Sequence, residues 1–165
     1  MLKKIVEPTK ADVHEVALGM RDTDFTEFSA VQFANCRESL ATVLAGSYGQ
    51  HPGVMVGHDW DGPVCVGGTI ELRPNVVSLL FFANDRFPGI ALPITRFIAK
   101  NLFPKLRERG VHRIEAVSLA ANSHAHNWLN TIGLKPETGL LRGYGKGGEA
   151  YIQFSWVADA HQIGS

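Results

Sequence analysis

The hexapeptide Arg86–Ala91 has the residue types of a phosphate-binding turn. It reads Arg-x-x-Gly-x-Ala and lies between the apolar run Val76–Ala83 and a long amphipathic stretch. A strand, a turn of small residues and the start of a helix together direct several backbone N–H groups toward one point, which suits phosphate oxygens. Gly89 permits close approach of the backbone and Arg86 adds a positive charge, whereas Pro88 has no N–H to donate. An ordinary strand-to-helix turn that binds nothing is the simpler alternative.

A second signature begins one helix and one strand further along the chain. It consists of Asn122, Ala125, Leu129 and Gly133, with Leu134 after the glycine. Together the two signatures resemble the GCN5-related N-acetyltransferase (GNAT) family of acyl-CoA-dependent enzymes. In that family the loop reads Gln/Arg-x-x-Gly-x-Gly/Ala and the next helix typically begins Asn-x-x-Ala. The resemblance covers roughly residues 2–157 and is firm over 76–142. A phage-type or degenerate member of the family would show the same resemblance.

The resemblance implies that the chain binds acetyl-CoA as a co-substrate. In the family, the loop holds the pyrophosphate and the preceding strand pairs with the pantetheine arm through its main chain. Carried over position by position, the implied contacts come from Phe81, Phe82, Ala83, Arg86, Phe87, Gly89, Ile90 and Ala91. Asn122 commonly contacts the cofactor or the separated strand in relatives, although a helix cap alone explains an asparagine there. Trp128 either covers the cofactor arm or fills the core, and the core is favoured.

Few side chains near these positions could move a proton. An amine acceptor must lose a proton before it attacks, so a general base is expected. Many relatives carry a Glu near the start of the strand before the loop, whereas here Glu71 and Asp85 are the nearest carboxylates. Glu71 is the candidate base, and a solvated strand end is its alternative. Leu129 stands where the resemblance implies a Tyr that acts as general acid, and some branches that act on protein N-termini also lack that Tyr. Tyr144 either lines an acceptor pocket or belongs to a mobile glycine-rich tip.

Three functions agree with these residues. The leading one is an acyl-CoA-dependent N-acetyltransferase, in which a small-molecule amine, a protein N-terminus or a lysine attacks the thioester directly in a ternary complex. The second is a catalytically inactive GNAT-fold protein with a structural or assembly role, for example a phage internal virion protein. The missing Glu and Tyr, together with Pro88, favour it. The third is a sensor that holds acyl-CoA without turnover.

Composition excludes several other classes of protein. The 165 residues carry 16 basic and 16 acidic side chains, so no basic face argues for nucleic acid as the main partner. No apolar run approaches the ~20 residues needed to cross a bilayer. Two cysteines do not make a disulfide framework, and His124 and His126 are not spaced for one helix face, so no metal site is expected. A cytoplasmic protein is the default, with a virion as the alternative, and a homodimer is left open.

The order of periodic segments predicts one α/β (α+β) domain over residues 1–165. Strands are expected near 2–6, 54–57, 64–72, 76–83, 113–119, 134–142 and 149–157, with helical regions at 10–20, 22–46, 90–109 and 122–132. Pro104 is expected to kink or end the third helical region. Element order and resemblance together predict a mixed, mostly antiparallel sheet of six to seven strands with helices on both faces. The resemblance adds the expectation that the two middle strands separate.

Overall fold

The computed structural model of the protein describes residues 1–159. Its strands are β1 Lys4–Val6, β2 Val54–Asp59, β3 Gly62–Arg73, β4 Val76–Ala83, β5 Arg113–Leu119, β6 Lys135–Pro136 and β7 Tyr151–Val157. Its α-helices are α1 Lys10–Leu18, α2 Asp22–Ser29, α3 Arg37–Tyr48, α4 Ala91–Phe97, α5 Phe103–Glu108 and α6 Ser123–Thr131. A 3-10 turn occupies Phe87–Gly89, and a π-helical segment occupies Ile98–Leu102.

The strands form a seven-stranded sheet in the order β1-β2-β3-β4-β5-β7-β6. The β1–β2, β2–β3, β5–β7 and β6–β7 pairs are antiparallel, and β4–β5 is parallel. This mixed, mostly antiparallel sheet with its helices confirms the predicted fold class.

Strands β4 and β5 pair over a short part of their length. Their described ladder covers three pairs, from Val76↔Arg113 to Ser78↔Glu115. Strand β4 nevertheless continues to Ala83 and β5 to Leu119. The separation of the two middle strands stays a prediction.

The described chain divides into two compact units. Unit 1 comprises Met1–Thr69 and Leu80–Ile94, and unit 2 comprises Ile70–Leu79 and the described chain from Thr95 onward. The core of unit 1 contains Val13, Val16, Leu40, Val56, Val64 and Phe82, and that of unit 2 contains Phe103, Ile114, Leu134, Tyr151 and Phe154, all essentially inaccessible to solvent. The expectation of a single domain over 1–165 stays a prediction. Within residues 1–159, none of the helices combines the length and apolar character that crossing a bilayer requires.

Pro104 follows a π-helical segment in the third helical region and does not end the helix, and a kink at this residue stays a prediction. The chain is α-helical up to Phe97, π-helical over Ile98–Leu102, and α-helical again from Phe103, with Pro104 in the first turn of α5. Proline removes one amide donor and its ring collides with the carbonyl four residues earlier. The wider π-helical turn accommodates both effects without ending the helix.

Two predicted boundaries are wrong. The helical region 22–46 is two helices, α2 and α3, because Cys36 begins a new helix with its own capping box after the loop that follows Ser29. The strand predicted over 134–142 shrinks to Lys135–Pro136. Pro136 has no N–H for a ladder, and beyond it the backbone contacts β7 through the Glu137 amide and the isolated Leu141↔Tyr151 bridge.

Candidate functional site

Asn84 builds the start of the Arg86–Ala91 loop. Its side-chain Oδ1 accepts a hydrogen bond from the Arg86 amide at 3.0 Å, and its carbonyl accepts one from the Phe87 amide at 3.1 Å. Its Nδ2 donates to the Pro63 carbonyl at 3.1 Å, which ties the loop to β3. Asn84 is not among the residues predicted from the sequence, although an asparagine two residues before a turn is a recognisable signal because its side chain caps backbone amides.

The turn amides of the loop donate within the loop itself. The Gly89 amide donates to the Arg86 carbonyl at 3.1 Å, and the Ile90 amide donates to the Phe87 carbonyl at 2.9 Å. Phe87 and Ile90 point inward and are buried, whereas Pro88 and Gly89 are exposed. The loop is therefore held by two apolar side chains and by bonds of the 3-10 type, whose geometry is poorer than that of α-helical bonds.

Arg86 forms an ion pair with Asp59 at the end of β2. Its Nε donates to Asp59 Oδ2 at 2.9 Å and its terminal nitrogen donates to Asp59 Oδ1 at 3.3 Å. The same nitrogen donates to the Pro63 carbonyl at 3.3 Å. Hydrogen bonding from Arg86 lowers the pKa of Asp59, so this carboxylate stays ionised. No local sequence pattern indicates that Asp59 faces the loop cation, because Asp59 and Arg86 lie 27 positions apart.

The loop can accept a phosphate-bearing group if its turn amides exchange weak internal bonds for bonds to phosphate oxygens and Arg86 exchanges its ion pair with Asp59. A Cβ built at Gly89 meets no atom within 4 Å, so the outer side of the turn is open. Each neutral internal bond contributes roughly 1 kcal/mol net, whereas an amide or guanidinium bond to a phosphate oxygen is charge-assisted and about twice as strong. The residues present therefore fit a polyphosphate, provided that Arg86 and the turn amides exchange partners.

The end of β4 carries the three residues that the resemblance assigned to the pantetheine arm. Phe82 and Ala83 are fully buried and Phe81 is half-buried. The Phe82 ring contacts Phe28 with a centroid distance of 5.4 Å, and the Phe81 ring contacts Phe87 at 5.0 Å. The phenylalanine rings thus serve packing, and any cofactor contact made here would involve the main chain.

Both main-chain polar groups of Ala83 have partners, one from the connection between α1 and α2 and one from the first turn of α2. The Ala83 amide donates to Asp24 Oδ2 at 2.9 Å, and the Ala83 carbonyl accepts a bond from the Arg21 amide at 2.9 Å. Asp24 is buried, and desolvation raises the pKa of its carboxyl group while the Arg21 guanidinium and the Ala83 amide oppose that rise. Neither Arg21 nor Asp24 was a candidate from the sequence.

In unit 2, Asn122 caps α6. Its Oδ1 accepts a hydrogen bond from the Ala125 amide at 3.3 Å, which is the cap that the simpler interpretation predicted. Trp128 is half-buried and its indole N–H donates to Thr95 Oγ1 at 3.0 Å. Leu129 is buried. A cofactor role for Asn122 and Trp128 stays a prediction.

The two residues considered for catalysis lie in exposed positions of unit 2. Glu71 is on the last part of β3, and among the described residues no hydrogen bond or ion pair involves its carboxylate. Tyr144 is 45% exposed and its ring packs against Tyr151 with a centroid distance of 4.8 Å. The catalytic roles of Glu71 and Tyr144 stay predictions.

Solved structures of N-acetyltransferases share this fold over nearly the whole chain. Ard1 from Thermoplasma volcanium superposes with a TM-score of 0.69 at 15% identity, covering 94% of this chain and 97% of its own. The ribosomal-protein-S18-alanine N-acetyltransferase from Escherichia coli gives 0.62 at 16% identity, covering 97% and 96%. The ribosomal-protein-alanine N-acetyltransferase from Brucella melitensis gives 0.63 at 19% identity, covering 94% and 99%.

These likenesses establish the GNAT acetyltransferase fold for this chain. Comparison by sequence adds nothing further, because no protein-family model matches the chain and no curated protein matches it.

Proposed function

We propose that the protein is an N-acetyltransferase that transfers an acetyl group from acetyl-CoA to an amine by direct attack in a ternary complex. A new bond forms between the amine nitrogen and the acetyl carbon, the carbon–sulfur bond breaks, and CoA leaves as the thiol while the amine loses a proton. The observation that carries this proposal is the strand–turn–helix unit of β4, the Arg86–Ala91 loop and α4. In this chain it stands within a fold shared with N-acetyltransferases along almost their entire length.

The loop would bind the pyrophosphate of the co-substrate. Arg86 would move its guanidinium from Asp59 to a phosphate oxygen, and the open side of Gly89 would allow the phosphate to approach the backbone. Phe87 and Ile90 are buried and would keep the turn in place during this exchange. Ala91 begins the helix whose N-terminal end attracts negative charge.

The chain would accelerate the reaction chiefly by positioning the two reactants. Holding the amine against the thioester removes much of the entropic barrier of a bimolecular step. A main-chain N–H of β4 would polarise the thioester carbonyl. Glu71 is the proposed base, acting directly or through water, and Tyr144 is proposed to line the acceptor pocket. We retain Asn122 and Trp128 as proposed cofactor contacts.

A peptide amine is the acceptor class to test first. Three of the structural neighbours are named as acetyltransferases of ribosomal-protein alanine. The absence of the usual tyrosine at Leu129 is also compatible, by the family resemblance, with enzymes that modify protein N-termini. A cytoplasmic location and a homodimer are further predictions, which cell fractionation and light scattering would test.

Binding and turnover should be measured separately. Isothermal titration calorimetry with acetyl-CoA and with CoA tests the co-substrate, and a thiol-release assay with a panel of peptide, lysine and small-molecule amines tests the transfer. Binding together with acetylated product, identified by mass spectrometry, would support the proposal. Binding without turnover on any amine would favour a sensor. No heat and no thermal shift at millimolar acetyl-CoA would leave a structural protein and refute the enzymatic proposal.

A further inference from the structure

The connection between α1 and α2 lies along the end of β4 and pairs with it. Met20 and Asn84 form an isolated antiparallel bridge, and the next residues continue the contact through the Arg21 amide and the Ala83 carbonyl. Asp24 completes it by accepting a bond from the Ala83 amide. Because Ala83 is three positions before Arg86, this contact holds the backbone from which the loop departs.

Asp24 is a buried carboxylate with four hydrogen bonds. Besides the Ala83 amide, its oxygens accept bonds from Arg21 Nε at 3.1 Å and from the Arg21 terminal nitrogen at 2.9 and 3.1 Å. An ionised carboxylate this deeply buried is tolerated only where such charge-assisted bonds replace water. A buried ion pair is also weak evidence for stability, since well-packed apolar residues often replace one without loss. A role other than stability is therefore worth testing.

Arg21 also contacts the loop directly. Its guanidinium lies over the Phe87 ring, 5.1 Å from the ring centroid. Phe87 is one of the two buried side chains that hold the loop, and its ring touches Phe81 on β4. The Arg21–Asp24 pair thus contacts both Ala83, the last residue of β4, and Phe87 in the loop.

We propose that Arg21 and Asp24 are positioning residues for co-substrate binding. They fix the main chain of Ala83 and the ring of Phe87, so that the Arg86–Ala91 loop is already ordered when the pyrophosphate group arrives. This inference rests on the proposed function, because the loop must bind CoA for its order to matter. A loop that is ordered in advance loses little conformational freedom when the ligand binds. A ligand also binds more weakly when only a fraction of the protein molecules are in the conformation that can bind it.

A purely structural ion pair and a positioning pair predict different results. A structural pair, once removed, lowers the midpoint of unfolding but leaves the dissociation constant of CoA unchanged wherever the variant is folded. A positioning pair, once disturbed, weakens CoA binding in the folded variant and loosens the loop amides. The conservative variants Arg21→Lys and Asp24→Asn suit this comparison. Lysine keeps the charge but lacks the two-pronged guanidinium, and asparagine keeps an acceptor for the Ala83 amide but loses the charge.

The matched control is Asp22→Asn. Asp22 belongs to the same helix and forms an ion pair with Arg37 at 2.7 Å, but its side chain is almost completely exposed and it makes no described contact with Ala83 or Phe87. Replacing it breaks an Arg–Asp pair between α2 and α3 and removes none of the groups that bond to Ala83.

The experiment measures CoA binding by calorimetry under conditions in which circular dichroism shows each variant folded, and amide exchange over residues 83–91 without ligand. We expect Arg21→Lys and Asp24→Asn to weaken CoA binding about tenfold or more and to speed exchange at Ala83, Phe87 and Ile90, with Asp22→Asn close to the unaltered protein.

If Asp24→Asn does not fold, Arg21→Lys and Phe87→Leu carry the same test. Unchanged CoA affinity in folded variants overturns the positioning role alone. Absence of CoA binding by the unaltered protein overturns the proposed function as well.

Discussion

The Arg86 guanidinium and the Asp59 carboxylate are joined by a hydrogen bond of 2.9 Å between Nε and Oδ2. The single cation of the loop is therefore shared with a carboxylate from the β2–β3 hairpin. Two more acidic side chains, Asp61 and Glu15, also act on Arg86 through their charges. The loop is consequently less positive than its sequence indicates, and an entering phosphate has to compete with Asp59.

Replacing Asp59 should therefore strengthen CoA binding. Asp59→Asn removes the competing charge, and we expect CoA affinity to rise about two- to fivefold, the range of an exposed ion pair. Calorimetry at low and high salt measures the effect, which should shrink as salt screens the charges. Asp61→Asn is the control, since it removes an equal charge without a described hydrogen bond to Arg86, and its effect should be smaller. Weaker binding by Asp59→Asn would show that the pair orders Arg86 and does not compete for it.

Two substitutions of Asn122 separate its cap from any contact with the cofactor. Asn122→Ala removes the acceptor of the Ala125 amide and should lower the free energy of unfolding by about 1 kcal/mol. Asn122→Asp restores a capping oxygen and should recover most of that stability. Denaturant titration measures both. If Asn122→Asp also recovers CoA affinity, the residue acts as a cap. If affinity stays low while stability returns, the amide group itself contacts the co-substrate.

Only one of the two cysteines should react in the folded protein. Burial raises the pKa of the Cys65 thiol to about 12, so thiolate is scarce at pH 8, whereas Cys36 is exposed at the start of α3. Alkylation followed by mass spectrometry should label Cys36 in the native protein and both residues in denaturant. Cys36→Ser should then give a native protein with no rapid labelling, which also removes the background from thiol-release assays. Rapid native labelling of Cys65 would contradict its burial.

Glu137 should make stability depend on pH in the acid range. Hydrogen bonds from Arg113, with Ser155 and Gln153, lower the pKa of Glu137 from 4.5 to about 2. Its folded-state pKa is depressed, so its contribution is complete above 4.5 and is lost as pH falls toward 2. As the pH is lowered through this range, the urea midpoint of Glu137→Gln should fall less steeply than that of the unaltered protein. Glu7→Gln, at an exposed carboxylate without a described partner, should retain the slope of the unaltered protein.

The central part of the fold was predictable because its signals are local. Strands β4 and β5 match the apolar run and the alternation seen in the sequence, and the cap of α6 is the Asn122 that the pattern indicated. The Asp24–Ala83 bond joins residues 59 positions apart, so no local pattern points to it. Nor does the Arg-x-x-Gly-x-Ala pattern show whether the turn amides point outward or donate within the turn, because both arrangements suit the same residue types.

The π-helical segment has a consequence for the alignment of side chains along the helix that follows the loop. Ile98, Phe103 and Leu106 are buried, so the inward positions are separated by five residues and then by three. An uninterrupted α-helix would instead turn Leu102 inward and carry Phe103 toward solvent. The π-helical turn thus keeps Phe103 buried as well as accommodating Pro104. Substituting the proline alone would leave the wider turn in place, since straightening the helix would rotate a large aromatic ring out of the interior of unit 2.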